Sequence, residues 1–321
     1  MTPKVSVVIP LFNKGPHIAR AIDSVLNQTV QEFEIIVIDG NSRDEGPEIV
    51  KNHPDPRIRF YIQQGSGVSF ARNQGVERSK SDFITFLDAD DEWLPTHLET
   101  LFRLKHGFPE AGIYATAYQT CYKSGKRVNI SYHAIPEFPN DLVLPNYFES
   151  AALGEPPVWT SAVGILKKMY VEAGGFPAGE SYGEDLDLWA KIALKYPVAF
   201  SSEITAVYHT GASNRAMEHY HPVEEDPSVK TGKKAIADGI VPERMLPYLK
   251  EYIARKEIDT AVMNIYANDY PLARKILART ETRYYLLEKY KWSIVTRVPK
   301  SIFDGIRYMK RILITINNFE P

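Results

Sequence analysis

The sequence predicts an α/β fold: a mostly parallel central sheet with helices on both faces, followed by a C-terminal helical extension. Three observations carry this. Short β-branched runs alternate with segments of helical apolar spacing through the first hundred residues, the pattern of parallel strands joined by crossover helices. A Lys123-Ser124-Gly125-Lys126 turn between two further strand-like runs then breaks that rhythm with a hairpin. From about residue 227 onward the apolar spacing is helical, with no repeat and no low-complexity tract.

The elements follow in order. Residues 5–10, a β-branched run ending at Pro10, read as a buried strand. Ile18, Ile22, Val25 and Leu26 come next at helical spacing. Residues 33–39 form a second buried strand, followed by a polar turn and a short helix near 48–52. Residues 57–62 are the third strand; after a Gly-rich turn, Val68, Ala71, Gly75 and Val76 line one helix face. Residues 83–87 are the fourth, and Leu98, Leu101 and Phe102 mark a helix after Pro95. Residues 114–122 and 127–130 make the hairpin, and 136–157, rich in proline and aromatics, read as an irregular loop. A strand over 158–166, a short helix over 168–174, a longer helix over 184–196 and a strand over 204–208 complete this part. Residues 221–226 read as a linker. The expected organisation is therefore 1–105, 106–226 and a helical 227–321.

Composition narrows the function classes. At ~150 residues per domain, 321 residues make one large domain or two smaller ones. Cys121 is the only cysteine, which excludes a disulfide scaffold and a cysteine-rich zinc site. With 38 basic against 40 acidic side chains, nothing in the net charge points to nucleic acid. No apolar run approaches the ~20 residues of a membrane span. The N-terminal MTPKVSVVIP lacks a signal-peptide pattern, so a cytosolic chain is expected and the sequons at Asn27 and Asn129 are chance matches.

In sheets of this kind ligands bind at the carboxyl ends of the strands. The first strand ends at Pro10-Leu11-Phe12-Asn13, the second at Asp39-Gly40, the fourth at Asp88-Ala89-Asp90-Asp91. These ends converge on one edge, and two of them bring carboxylates. Alternation along an extended segment would aim Asp88 and Asp90 to one side and Asp91 to the other. Two carboxylates aimed alike repel unless a cation lies between them. Mg²⁺ or Mn²⁺, completed by substrate phosphates, suits such a pair; a solvated acidic turn capping the next helix is the alternative. Asp39 can accept hydrogen bonds from a base or ribose, or serve only the backbone of an Asp-Gly turn. The loop after the first strand contains neither GxGxxG nor GxxxxGK[ST], which argues against a dinucleotide oxidoreductase and a P-loop enzyme.

VSVVIPLFNK, EIIVIDGNSRD, GVSFARNQGV, FITFLDADDEW and GEDLDLWAK occur in the order seen in family 2 glycosyltransferases, and the resemblance spans roughly residues 4–215. It implies the GT-A fold and an inverting transferase that uses a nucleotide-diphosphate sugar, a UDP-sugar in the first instance, with Mn²⁺ or Mg²⁺. Carried over by position, Pro10, Phe12 and Asp39 would surround the base, with Asp39 on the uracil edge, and Asn13 would touch the nucleotide. Arg72 and Ala89 would lie near the nucleotide, Asp88 near the ribose and the metal-bound water, and Asp90 on the metal. One departure concerns the base: the family often has Asp-Asp-Gly-Ser where this chain has Asp39-Gly40-Asn41-Ser42. Glu184 and Asp185 would be the acceptor-side pair, with Asp185 as general base, a carboxylate kept ionised by its helix N-terminus.

Taken by itself, Ser181-Tyr182-Gly183-Glu184 also fits a capping box in which Glu184 merely caps the helix. Trp159 is expected on the acceptor side. His209 is expected at the diphosphate or metal, or in a structural role. Trp93 either stacks on the donor or staples the next helix, and Trp189 belongs to the core. Residues 289–316 carry a basic amphipathic pattern that fits a peripheral membrane contact, a surface packed on the domain, or a second copy of the chain. The acceptor would be a glycan or a lipid-linked glycan. A sugar-nucleotide pyrophosphorylase should carry a Gly-rich loop after the first strand, which is lacking here; a binding module without chemistry is the other rival.

Overall fold

The structure is a computed structural model described at residues 2–137, 140–180, 182–212 and 220–299. Its strands are β1 (Val5–Leu11), β2 (Phe33–Asp39), β3 (Ile58–Ile62), β4 (Phe83–Phe86), β5 (Glu92–Trp93), β6 (Ile113–Cys121), β7 (Arg127–Asn129), β8 (Asp141–Val143), β9 (Val163–Leu166) and β10 (Val198–His209). They form one sheet in the order β3-β2-β1-β4-β9-β6-β10-β5, with β7 beside β6 and β8 beside β10. β1–β4, β6 and β10 run one way, and the other strands oppose them. The mostly parallel sheet expected from the alternating pattern is therefore present.

Side-chain alternation sorts the helices onto two faces. Val5, Val7, Ile9 and Leu11 of β1 pack with α1 (Gly15–Leu26), α2 (Gly46–Lys51) and, further along the sheet, α4 (His97–Gly107). Val8 points the other way, into the core shared with α3 (Val68–Glu77), α5 (Tyr147–Leu153) and α7 (Glu184–Ala193). Gly75 shows why that second face is tight. A Cβ at this position would lie 2.3 Å from Val8 Cγ1, so α3 can press on β1 only without a side chain there. α6 (Lys167–Glu172) follows β9 on this face and contributes Tyr170 to the same core.

Two stretches differ from expectation. Residues 136–157 are not irregular throughout: they contain β8 and α5. Asn146 starts α5, its side chain accepting from the Phe148 and Glu149 amides, and Tyr147, Phe148, Ala151 and Ala152 are buried. The cap and the buried face were obscured by the neighbouring prolines. Residues 158–166 are strand only from Val163; Thr160–Ala162 form a 3₁₀ turn, which the β-rich composition hid.

After β10 come α8 (Pro227–Ala237), α9 (Leu246–Tyr266), α10 (Tyr270–Arg279) and α11 (Leu286–Val295). The chain divides into two compact units, residues 1–219 with 227–253, and residues 220–226 with 254–321. In the first, Asp187 of α7 accepts from Thr231 of α8 and pairs with Lys191 at 2.6 Å. In the second, Ile258, Ala261 and Ile265 pack with Ala273, Ile276 and Leu277. No helix among the described residues is long and apolar enough to cross a membrane. Of the basic stretch 289–316, residues 300–316 lie outside the described residues.

Candidate active site

The acidic segment after β4 is a turn, closed by the Asp91 amide donating to the Asp88 carbonyl at 2.9 Å. The same-side arrangement expected of an extended segment is therefore corrected: the turn spreads the three carboxylates. Asp88 accepts from Arg72 Nη2 at 2.8 Å, and Asp90 accepts from Lys14 Nζ at 2.6 Å. The Asp90 carbonyl accepts from Arg20 Nη2. Asp91 is buried and accepts from Ser161 Oγ at 2.8 Å and the His209 amide at 3.2 Å. Burial, then repulsion from Asp90 and Asp88, pushes its carboxyl well above the usual range. Asp91 thus pins the turn to the 3₁₀ segment and to β10, leaving Asp88 and Asp90 as the carboxylates open to chemistry.

Arg72, on α3, is 4% exposed. An unpaired guanidinium buried there would cost several kcal/mol, so its partners are obligatory. Nη2 holds Asp88, and Nη1 holds Glu184 Oε1 at 3.0 Å; the Phe176 ring lies 5.1 Å from the guanidinium carbon. Burial pulls its pKa down, but Asp88, Glu184 and Asp185 outweigh burial and keep it charged. Gly183, at φ 71°, turns the chain into α7 so that Glu184 reaches Arg72. Glu184 is therefore an ion-pair partner, and the N-cap of α7 is Gly183, without a side-chain cap bond. Burial, then Asp185, pushes Glu184 up to about 7 against the pull of Arg72. Asp185 Oδ2 accepts from Thr160 Oγ1 at 2.9 Å, and Oδ1 from the Leu186 amide at 2.8 Å.

At the ends of β1 and β2, Asp39 is buried, and its oxygens accept from the Ser42 amide at 3.2 and 3.3 Å. These contacts are those of the Asp-Gly turn. Asn13, at φ 51°, donates its amide to Ser42 Oγ at 2.8 Å and accepts from the Arg43 amide at 2.8 Å. Phe12 beside it is 53% exposed, Pro10 half-buried and Ala89 buried. An exposed ring next to a fixed carboxylate is a fair platform for a planar base.

The remaining aromatic residues separate cleanly. Trp93 is buried, donates to the Ser161 carbonyl at 2.6 Å and stacks on His97 at 4.3 Å, which makes it the staple of α4. Burial drives His97 down to about 3, so that imidazole is neutral. Trp189 is core. Trp159 stacks on Tyr118 at 4.4 Å, with Tyr208 edge-on at 5.4 Å. His209 Nε2 lies 3.0 Å from Glu92 Oε2; burial and Arg20 lower its pKa.

Among the described residues no three His, Cys, Asp or Glu side chains are grouped to hold a metal ion. The donor set still fits a hard dication in one way. Asp90 offers a partly exposed carboxylate already matched to a cation, Lys14, and Mg²⁺ or Mn²⁺ completed by substrate phosphates needs only one or two carboxylates. Lys14, Arg20, Thr160 and Ser161 were not singled out from the sequence. Lys14 lies inside the VSVVIPLFNK motif, where its charge at a strand end was a usable signal; Thr160 and Ser161 gave none.

Glycosyl transferase family 2 matches residues 6–153, which hold both the β1–β2 strand ends and the acidic turn. Residues 6–153 thus carry a family 2 glycosyltransferase domain. An uncharacterised glycosyltransferase of Rickettsia felis is 31% identical over 218 residues, 67% of this chain and 34% of that protein. A Campylobacter jejuni GalNAc(5)-diNAcBac-PP-undecaprenol beta-1,3-glucosyltransferase is 39% identical over 105 residues, 32% of this chain and 34% of that protein. The matched stretches thus span about a third of the length of these relatives. In solved structures, residues 1–349 of S. aureus TarS in complex with UDP-GlcNAc align with a TM-score of 0.61 at 14% identity, covering 91% of this chain and 89% of that one. The Pyrobaculum calidifontis mannosyltransferase PcManGT, in complex with GDP-Man and Mn²⁺, aligns at 0.58 and 17%, covering 92% and 85%. These alignments support the GT-A fold of the chain.

Proposed function

We propose that the chain transfers a sugar, with inversion, from a nucleotide-diphosphate donor to a hydroxyl of a glycan or lipid-linked acceptor. UDP-sugars are the preferred donor class. The observation that carries this reading is the Arg72 bridge, in which one buried guanidinium holds Asp88 of the acidic turn and Glu184 beside Asp185. A donor-side carboxylate and an acceptor-side base are thereby kept in one frame.

In this reading Phe12, Asn13, Pro10 and Asp39 hold the base, and Arg72, Asp88 and Ala89 flank the rest of the nucleoside. Thr160 and the Leu186 amide fix Asp185. Asp185 takes the proton of the acceptor hydroxyl as that oxygen bonds to the anomeric carbon. The bond from that carbon to the diphosphate breaks on the opposite side, and its electron pair leaves with the nucleoside diphosphate. Asp90, with His209 of β10, whose amide donates to Asp91 of the same turn, would hold Mg²⁺ or Mn²⁺, which when bound neutralises charge on the diphosphate. The polyprenol-diphosphate glycan in the Campylobacter relative's name supports a lipid-linked acceptor.

The test combines binding with turnover. Calorimetry with UDP and GDP, with and without Mn²⁺, should find UDP binding that Asp185→Asn preserves and Asp90→Ala weakens. Transfer by Asp185→Asn should fall about a hundredfold or more. An unchanged transfer rate would remove Asp185 as base, and preference for GDP would overturn Asp39 as a uracil reader.

A further inference from the structure

On the α1 side of the acidic turn lies a cleft of about 280 Å³ lined by His17, Arg20, Cys121, Tyr122, Lys123 and His209. Its walls come from three separate elements: α1, the β6–β7 turn and the end of β10. Its charge is unbalanced. Glu92 is shared among His209 Nε2 at 3.0 Å, Arg127 Nη2 at 3.6 Å and Arg20 Nε at 4.0 Å. Asp90 is matched to Lys14, Asp91 is buried on Ser161 and the His209 amide, and Arg20 spends Nη2 on a neutral carbonyl. Lys123 is exposed and has no ion pair among the described residues. His17 Nε2 and Arg20 Nε are buried, with no hydrogen-bond partner among the described residues. Buried polar atoms without partners are costly, and a ligand that supplied acceptors would relieve that cost.

We propose that this cleft is a phosphoanion subsite in which Arg20 and Lys123, with the imidazole of His17, receive one phosphate group. Nitrogen groups converging from α1 and the β6–β7 turn suit a tetrahedral group with three acceptor oxygens better than a planar carboxylate. The inference rests on the phosphate-bearing substrates of the proposed transfer. The group belongs either to the donor's diphosphate or to a phosphate of the acceptor.

The probe is inorganic pyrophosphate, titrated calorimetrically without metal into the full chain and into Lys123→Glu and Arg20→Gln. Lys123 is exposed, so its charge reversal leaves the fold intact. Pyrophosphate should bind the unaltered chain, and each variant should weaken it by about fivefold or more. The titration is then repeated with UDP at saturation. Exclusion of pyrophosphate by UDP, with UDP itself weakened by Lys123→Glu, assigns the site to the donor's diphosphate. Continued pyrophosphate binding to the UDP-loaded chain assigns it to an acceptor phosphate. UDP binding without any pyrophosphate binding, or equal pyrophosphate affinity in all three proteins, would overturn the subsite and leave the transferase reading standing. Variant-sensitive pyrophosphate binding in a chain that binds neither UDP nor GDP would keep the subsite and sink the donor assignment.

Discussion

Asp88 and Asp90 stand two residues apart, yet each is neutralised from a different face of the sheet: Asp88 by Arg72 of α3 at 2.8 Å, Asp90 by Lys14 at the mouth of α1 at 2.6 Å. The two cations differ in kind. Arg72 is buried and holds two carboxylates through a rigid fork, whereas Lys14 is a point charge on a flexible stem. Asp88 is accordingly locked to the acceptor side through Glu184, and Asp90 is the carboxylate whose cation can exchange.

That difference predicts the behaviour of Lys14→Ala. Without the ammonium, Asp90 loses its competing cation, and Mn²⁺ should bind the nucleotide-free chain about tenfold more tightly. Electron paramagnetic resonance of free Mn²⁺ measures this directly. Asp90→Ala should abolish the gain in the double variant. Equal Mn²⁺ affinity with and without Lys14 would mean that Asp90 does not hold the ion.

Arg72→Lys is expected to be severe although it keeps the charge. A lysine cannot hold Asp88 and Glu184 together, and one buried carboxylate is left without its partner. Breaking a buried pair in this way costs about 3 kcal/mol or more, unlike the loss of a solvent-screened surface pair such as Lys4–Glu32. Urea unfolding reads the loss; a change below ~1 kcal/mol would show that the bridge is dispensable.

Ser161 offers a milder probe of the same turn. Its hydroxyl donates to Asp91 at 2.8 Å and accepts from the Asp88 amide at 3.1 Å. Ser161→Ala leaves both buried groups short of a partner, which should cost about 1–3 kcal/mol. Nucleotide affinity should fall with it, because the turn that presents Asp88 and Asp90 is loosened. Stability and UDP affinity both unchanged would refute this coupling.

Legibility in the sequence followed the range of the interactions. The strands and helices up to α4 were readable because their apolar period is set locally, and Asp39, Asp88 and Asp90 could be placed by the rule of strand ends. The Ser161 and Thr160 contacts were not readable. They join positions 70 and 25 residues apart, to Asp91 and Asp185, through hydroxyls that leave no periodic trace. Strand alternation ends with β4 at Phe86, and nothing periodic in Asp88–Asp91 signals the turn that replaces it. Arg72 was expected near the nucleotide, but its grip on Glu184 spans 112 residues and belongs to packing alone. The same holds for α5, whose Asn146 cap is a local signal that the proline-rich surroundings concealed.

Glu184 supplies a pH test with a definite sign. Its carboxyl is raised from 4.5 to about 7, chiefly by burial and next by Asp185. Between those values the folded chain holds a proton that the unfolded chain has released. Stability is therefore fully present below about pH 4.5 and is lost as pH rises through about 7. The loss attributable to this group is on the order of 3 kcal/mol. Asp91 shifts the same way, so part of the slope belongs to it. His97 and His209, whose pKa values burial lowers, give the opposite slope below about pH 6.5 in both proteins, so the test is the difference: urea unfolding from about pH 5 to about 8 should show the unaltered chain losing stability with pH relative to Glu184→Gln. The variant keeps an oxygen for Arg72 to donate to, so its loss of charge is the main difference between the two curves. Parallel curves would show that the proton released in this window does not come from Glu184.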